Sequence, residues 1–135
     1  MVQNSLLNSQ NIKQMTKILI VDDEPNIVMA LEYALKKRGF EVYIALNGKE
    51  ALEICKTEDP CLMVLDIMMP DMDGFEVLKK VKESEDHKDI KTLFLSAKNK
   101  PEDIEKGMQA GAEDYITKPF STKELIEKIT HYCKN

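Results

Sequence analysis

Five short apolar runs punctuate the chain: Lys17–Val21, Glu41–Ala45, Cys61–Leu65, Thr92–Leu95 and Asp114–Thr117. Each is rich in Ile, Val and Leu and spans only four or five residues, which suits strands buried on both faces. The segments between them carry helical spacing instead. Over Pro25–Arg38, the residues Ile27, Val28, Leu31, Ala34 and Leu35 form one stripe, with Pro25 at the start and Gly39 just past the end. Asn47–Lys56 turns Ala51, Leu52 and Cys55 inward, and Gly74–Glu83 does the same with Phe75, Leu78 and Val81 or its neighbour Val77. Pro101–Ala110 opens on Glu102 and Asp103, where a helix dipole favours acids. Ser121–Cys133 opens on a Ser-x-x-Glu capping box, Ser121 with Glu124, followed by Leu125, Ile126, Ile129 and Tyr132.

Strands alternating with helices imply parallel pairing through right-handed crossovers. A closed barrel needs eight such units and ~250 residues, which leaves an open sheet covered by helices on both faces. Residues 1–15 read as a polar extension, with at most a frayed helical turn over Leu6–Ile12, and 16–135 as one α/β domain. No stretch remains for a second domain.

Composition narrows the class further. At 135 residues, with 43% hydrophobic and 32% charged residues, the chain is a globular domain able to build one core unaided. Nineteen Lys and Arg against 24 Asp and Glu give a net charge of −5, which argues against a duplex-binding surface. No apolar run approaches the ~20 residues of a membrane span, and Met1–Thr16 lacks the apolar core of a secretory signal. The expectation is a soluble, cytoplasmic protein with neither nucleic acid nor membrane as partner. The cysteines, Cys55, Cys61 and Cys133, lack zinc or redox spacing and read as free thiols in a reducing compartment. His87 and His131 are too far apart in sequence to form a helix-borne ligand pair.

In open α/β sheets the ligand crevice lies beyond the carboxyl ends of the strands. The groups there are Asp22-Asp23-Glu24 after the first strand, Asp66 after the third, Ser96 after the fourth and Lys118-Pro119 after the fifth. If the strand order is 2-1-3-4-5, the first and third strands are neighbours and their carboxylates converge, with Ser96 and Lys118 closing the same pocket. Crowded carboxylates repel unless a cation shares the space, and hard oxygens without Cys or His select Mg²⁺. An Asp nucleophile, a cation, a lysine and a hydroxyl are the parts of an aspartyl-phosphate site.

Four motifs then stand in order: Ile18-Leu19-Ile20-Val21-Asp22-Asp23-Glu24, Leu65-Asp66-Ile67-Met68-Met69-Pro70-Asp71-Met72-Asp73-Gly74, Leu95-Ser96-Ala97 and Asp114-Tyr115-Ile116-Thr117-Lys118-Pro119-Phe120. Together they resemble the response-regulator receiver domains of two-component signalling, stand-alone type, over about residues 16–134. The resemblance implies a flavodoxin-like (βα)5 sandwich with a five-stranded parallel sheet in the order 2-1-3-4-5. It implies that Asp66 accepts a phosphoryl group from a sensor histidine kinase or a histidine phosphotransfer protein. Mg²⁺ would be held by Asp23 and Asp66 directly, by Asp22 through water and by the backbone carbonyl of Met68. Lys118, before a cis peptide bond to Pro119, would pair with the phosphoryl oxygens. Ser96 and Tyr115 would be the switch residues. Such a domain is a phosphorylation switch that assists its own phosphoryl transfer and dephosphorylation, not an enzyme acting on other substrates. It signals by docking on a protein target, which the sequence does not name, or by onward transfer, as a monomer or a phosphorylation-dependent dimer.

Each residue alone has a plainer reading. Asp22-Asp23 could be acids at a helix N-terminus, Asp66 a loop carboxylate, Ser96 a cap, Lys118-Pro119 a turn and Tyr115 a packing residue at the sheet edge. Pro70 and Gly74 shape the loop after the acceptor, Met68 and Met69 are partly exposed loop residues, and Glu83–Lys91 is a solvated loop. Two other functions share some of the features. A phosphohydrolase of the haloacid-dehalogenase type also uses a strand-end Asp with Mg²⁺, but it wants a second Asp where this chain has Met68, and a cap domain. A receiver-like module that only binds usually lacks an acid or the lysine, and neither is missing here.

Overall fold

A computed structural model describes residues 15–134; the expected turn over Leu6–Ile12 lies outside the described residues. The strands are β1 (Lys17–Val21), β2 (Glu41–Ala45), β3 (Leu62–Asp66), β4 (Lys91–Ser96) and β5 (Asp114–Thr117). The helices are α1 (Pro25–Lys37), α2 (Gly48–Glu58), α3 (Gly74–Glu83), α4 (Pro101–Gln109) and α5 (Thr122–Tyr132). All strand pairs are parallel and the order is β2-β1-β3-β4-β5, as the resemblance implied. β3 and β4 each run one residue further than their apolar runs. Asp66 pairs with Leu95 and Ser96 with Thr117, so both polar residues are the last rungs of the ladder rather than loop residues.

The uniformly apolar strands hide a period of two that the helices read out. Leu19, Val21, Met63, Leu65, Phe94 and Tyr115 face one core, packed against Ala51 and Cys55 of α2 and Val77, Leu78 and Val81 of α3. Ile18, Ile20, Leu62, Val64, Leu93, Leu95 and Ile116 face the other, packed against Val28, Leu31 and Leu35 of α1 and Leu125, Ile126 and Ile129 of α5. Alternate side chains of a strand point to opposite faces, so burial on both sides requires apolar residues at every position.

Local signals set the helix ends. Asn47, Asp73 and Ser121 accept from the N–H groups of Glu50, Glu76 and Glu124, satisfying donors that the helices leave unpaired. Gly39 takes a positive φ of 91° just past α1. The charged stretch after α3 runs as turns with Glu85, Asp86, Lys88 and Asp89 exposed, while His87 points inward, its Nδ1 3.6 Å from Asp59.

Two sequence expectations fail. Met69 is buried at 7% exposure in the α2–α3 core, so of this pair Met68 alone is exposed. The cysteines are not all free: Cys61 and Cys133 form a disulfide, and only Cys55 remains as a thiol, buried. These two residues lie 72 positions apart, and spacing motifs could not relate them. The fold does so, because the start of β3 and the end of α5 meet at the base of the sheet with a Cα–Cα distance of 6.4 Å, within bridging range.

Gly74 begins α3 directly against the end of β3; a Cβ there would sit 2.7 Å from the Asp66 carbonyl oxygen and 2.8 Å from the Ile67 Cα. Both neighbours are backbone and cannot move aside cheaply. Gly74→Ala is expected to cost about 1–3 kcal/mol by overpacking. Asp73→Ala, one residue away, costs about 1 kcal/mol through the lost cap alone. Urea unfolding of the two variants checks the order, and an equal or smaller loss for Gly74→Ala would refute the steric argument.

Candidate functional site

The carboxyl end of the sheet gathers every residue that the motifs singled out there. β1 ends one residue before Asp22, whose N–H donates to the Ala45 carbonyl and keeps the chain in line with β2 (3.2 Å). Asp22 is fully buried, and its Oδ1 accepts from the Glu24 N–H at 2.9 Å, an Asx turn that points the other carboxylate oxygen across the crevice. Asp66 is 4% exposed, and its Oδ1 accepts from the Met68 N–H at 3.2 Å. Asp23 is exposed at the rim. One oxygen from each of Asp22, Asp23 and Asp66 lies within 4.8 Å of the others.

Lys118 reaches this cluster from the end of β5. Its Nζ lies 3.2 Å from Asp22 Oδ2, 2.6 Å from Glu24 Oε1 and 3.7 Å from Asp66 Oδ1. The Lys118–Pro119 peptide bond is cis. Burial alone works against the ammonium charge, but Glu24, Asp22 and Asp66 together outweigh it and hold the Lys118 pKa above its usual value. The acids move the same way for a different reason. Desolvation pushes Asp66 up to about 6, with repulsion from Asp22 adding to it, and Lys118 and the Met68 N–H only partly offset this. Asp22 is also raised, chiefly by burial. A site in which two buried carboxylates resist ionising calls for more positive charge than one lysine supplies.

The remaining two residues join through one loop residue. Ser96 is fully buried at the end of β4, and its Oγ accepts from the Lys98 N–H at 3.0 Å. The Tyr115 hydroxyl donates to the Lys98 carbonyl at 2.8 Å, while its ring meets Phe94 edge-on at 6.4 Å between centroids. Tyr115 is thus 8% exposed and inward, in the α2–α3 core. Lys98 links the two switch candidates through its backbone alone, so its side chain gives no clue to the part.

Two residues without an assigned role belong here as well. Glu24 makes the shortest contact to Lys118; its place beside Asp22-Asp23 was the only signal in the sequence. Gly107 of α4 lies flat against Tyr115, and a Cβ there would stand 2.6 Å from the Tyr115 ring. A glycine inside a helix costs about 1 kcal/mol relative to Ala, and that anomaly was legible in the sequence.

Two expectations follow from this geometry. The folded-state pKa of Asp66 lies about two units above its ordinary value of 3.8, so below pH ~4 the group is neutral in both states. As pH rises through about 6 it must ionise in an unfavourable site, and metal-free stability falls by on the order of 3 kcal/mol. Thermal melts in chelator should show that decline, and Asp66→Asn should flatten most of it; an unchanged slope in the variant refutes the assignment. Gly107→Ala should expel the Tyr115 hydroxyl from Lys98, visible as a shift of the Tyr115 ring resonances in labelled protein. A variant that gains the ~1 kcal/mol of helix propensity with Tyr115 unmoved would count against the steric contact.

Comparison with known proteins agrees with this geometry. Residues 18–130 match the family model of the response regulator receiver domain. The receiver domain of the Francisella response regulator 1452 is 32% identical, with 87% of this chain and 95% of that chain covered and a TM-score of 0.81. The chemotaxis response regulator CheY4 of Vibrio cholerae is 31% identical over 88% of this chain and 99% of its own, with a TM-score of 0.82. The BeF3-activated DrrB receiver domain is 31% identical over 90% of this chain and 100% of its own, with a TM-score of 0.81. A strand order, a buried acid cluster and a lysine at the same end of the sheet, with a family match over most of the chain, lead to one conclusion: the chain belongs to the response regulator receiver domains.

Proposed function

We propose that Asp66 is the phosphoryl acceptor of this receiver domain, in a Mg²⁺-dependent transfer from a sensor histidine kinase or a histidine phosphotransfer protein. The observation that carries the proposal is the convergence of Lys118 Nζ on Asp22, Glu24 and Asp66, with Asp23 and Ser96 at the same end of the sheet. The family membership makes the domain a phosphorylation switch of two-component signalling rather than an enzyme, and implies a kinase or phosphotransfer protein as partner. The division into an extension over 1–15 and a receiver over 16–135 belongs to the same reading.

The donor set suits Mg²⁺: three carboxylates with oxygens in mutual reach, no sulfur or imidazole among them, and two with pKa values raised by burial and crowding. Asp22, Asp23 and Asp66 would hold the ion, with the Met68 carbonyl, and its charge would offset that of the carboxylates and of the phosphoryl oxygens. Within the chain itself, the Asp66 carboxylate forms the new O–P bond as the N–P bond of the donor's phosphohistidine breaks. Lys118 exchanges its contacts with Glu24 and Asp22 for a phosphoryl oxygen. Ser96 still has its hydroxyl proton to donate, and turning that proton to a phosphoryl oxygen repositions the Oγ that now accepts from Lys98. The Lys98 carbonyl that holds Tyr115 moves with it. These contacts exist only with the phosphoryl group present, so phosphorylation shifts the population toward an active conformer.

The readout surface in this proposal is the face built by α4, β5 and α5, presented to a protein target or to a second phosphorylated copy. The placement is cytoplasmic, alongside the kinase; no helix among the described residues is long and apolar enough to cross a membrane. Met68, 57% exposed, occupies the position where a haloacid-dehalogenase-type enzyme needs its second acid. One labelling event per chain is therefore expected, without sustained turnover of phosphomonoesters.

Incubation with Mg²⁺ and acetyl phosphate should add one phosphoryl group, read by intact mass. Asp66→Asn should abolish it, and Lys118→Met and Ser96→Ala should each lower the extent at least tenfold. Labelling of the Asp66→Asn variant to the wild-type level would sink the assignment.

A further inference from the structure

At the opposite end of the sheet from the acid cluster, Cys61 and Cys133 join the base of β3 to the end of α5. Cys61 is half-buried and its backbone is already fixed, donating to Lys17 O at 2.9 Å and accepting from Lys91 N at 3.1 Å. Cys133 is 3% exposed, and its N–H ends α5 by donating to Ile129 O at 2.8 Å. Both line one groove of about 940 Å³, together with Met15, Lys17, Tyr43, Glu58 and Tyr132. The bond is therefore not sealed in the core: a small reagent can approach it from the groove. Cys55 provides the contrast, a buried thiol whose pKa burial pushes up to about 11 and which has no partner cysteine.

We propose that Cys61 and Cys133 are a reversible thiol–disulfide site, exchanging with a low-molecular-weight thiol that enters this groove, and that its state decides how firmly the end of α5 is held. The geometry stands by itself, and the reversibility rests on the cytoplasmic placement proposed above, since disulfides in a reducing compartment are transient or redox-sensing. The chemistry balances with two thiols. The first attacks as thiolate at Cys61 Sγ, on the less buried residue of the pair; the S–S bond breaks, and Cys133 leaves as thiolate and takes a proton from water. The second attacks the small-molecule sulfur of the mixed disulfide; that S–S bond breaks, Cys61 leaves as thiolate and takes a proton from water, and the two small thiols, each having lost one electron, depart as their disulfide.

The functional consequence runs along α5. That helix follows the Lys118–Pro119 turn, and its far end is covalently tied to the strand that carries Asp66 at its own far end. Reduction removes the covalent tie and leaves α5 held by Leu125, Ile126 and Ile129 against the α1 side of the core, by the Lys128–Asp114 ion pair and by the Tyr132 hydroxyl on the Glu113 carbonyl. Its last turn is then less firmly held, and α5 is one wall of the face proposed for readout.

The test equilibrates the full chain with glutathione over ratios from fully reduced to fully oxidised, followed by alkylation and peptide mapping. The expected result is a reversible transition in which Cys61 and Cys133 gain two alkyl groups together, while Cys55 shows no redox dependence. Hydrogen exchange in the last turn of α5 should rise at least tenfold on reduction, to the level of a Cys61→Ser/Cys133→Ser double variant. Three results would overturn the proposal: both thiols persist in oxidised glutathione, the disulfide persists in excess reduced glutathione, or the exchange of α5 does not respond. Acetyl phosphate labelling of Asp66, measured on the same samples, separates the two readings. Its loss in both redox states refutes the phosphoacceptor assignment and leaves the redox site standing, whereas a silent cysteine pair with intact labelling refutes only the redox site.

Discussion

One ammonium group balances the carboxyl end of this domain. Among the described residues, Lys118 is the sole cation in contact with two buried carboxylates, Asp22 and Asp66, and a third acid, Glu24, competes for it. Burial raises the cost of every charge in that crevice, so the balance there is held short of neutrality and two acid pKa values rise in consequence. In the proposed function, a pocket poised in this way would respond strongly to one added dication. The acids are clamped by Asx-type bonds to their own loops, and Asp66 and Ser96 are rungs of the sheet.

The parallel sheet makes that concentration possible. All strands point their carboxyl ends the same way, so residues far apart in sequence arrive at one edge, and the reversal of strand order between β1 and β3 opens a crevice there. The cost of the arrangement is borne by the strands, whose residues must be apolar on both faces. The same topology gathers the amino ends of the strands at the base, where Cys61 meets Cys133. Charge chemistry and thiol chemistry thus sit at opposite ends of one sheet, joined by β3 and α5.

Between the pocket and the outer face, the coupling is short. Ser96 and Tyr115 touch opposite sides of the same peptide unit's residue, Lys98, and Tyr115 rests on the bare backbone of Gly107. In the switch proposed above, a shift of the Ser96 hydroxyl would reach Tyr115 through one residue. The plain reading of Tyr115, a residue packing at the sheet edge, is incomplete: it packs, and its hydroxyl also donates to the carbonyl of Lys98, whose N–H donates to Ser96.

The strands, helices, caps and the acid–lysine set were legible in the sequence because each rests on local chemistry. Apolar runs, helical stripes, Ser121 as a cap, and motif residues at strand ends all announce themselves within a few positions. The contacts that depend on non-local packing did not. Glu24 as the closest partner of Lys118, Lys98 as the hinge between Ser96 and Tyr115, and the burial of Met69 follow from how loops fold back, which no window of sequence records. The disulfide is the clearest case: Cys61 and Cys133 are unremarkable by spacing, and only the closure of a 72-residue separation at the base of the sheet makes them partners. The sequence by itself determined which chemistry was available and at which end of each strand; the tertiary structure decided which groups share a low-dielectric crevice, because proximity and desolvation are properties of the packed chain.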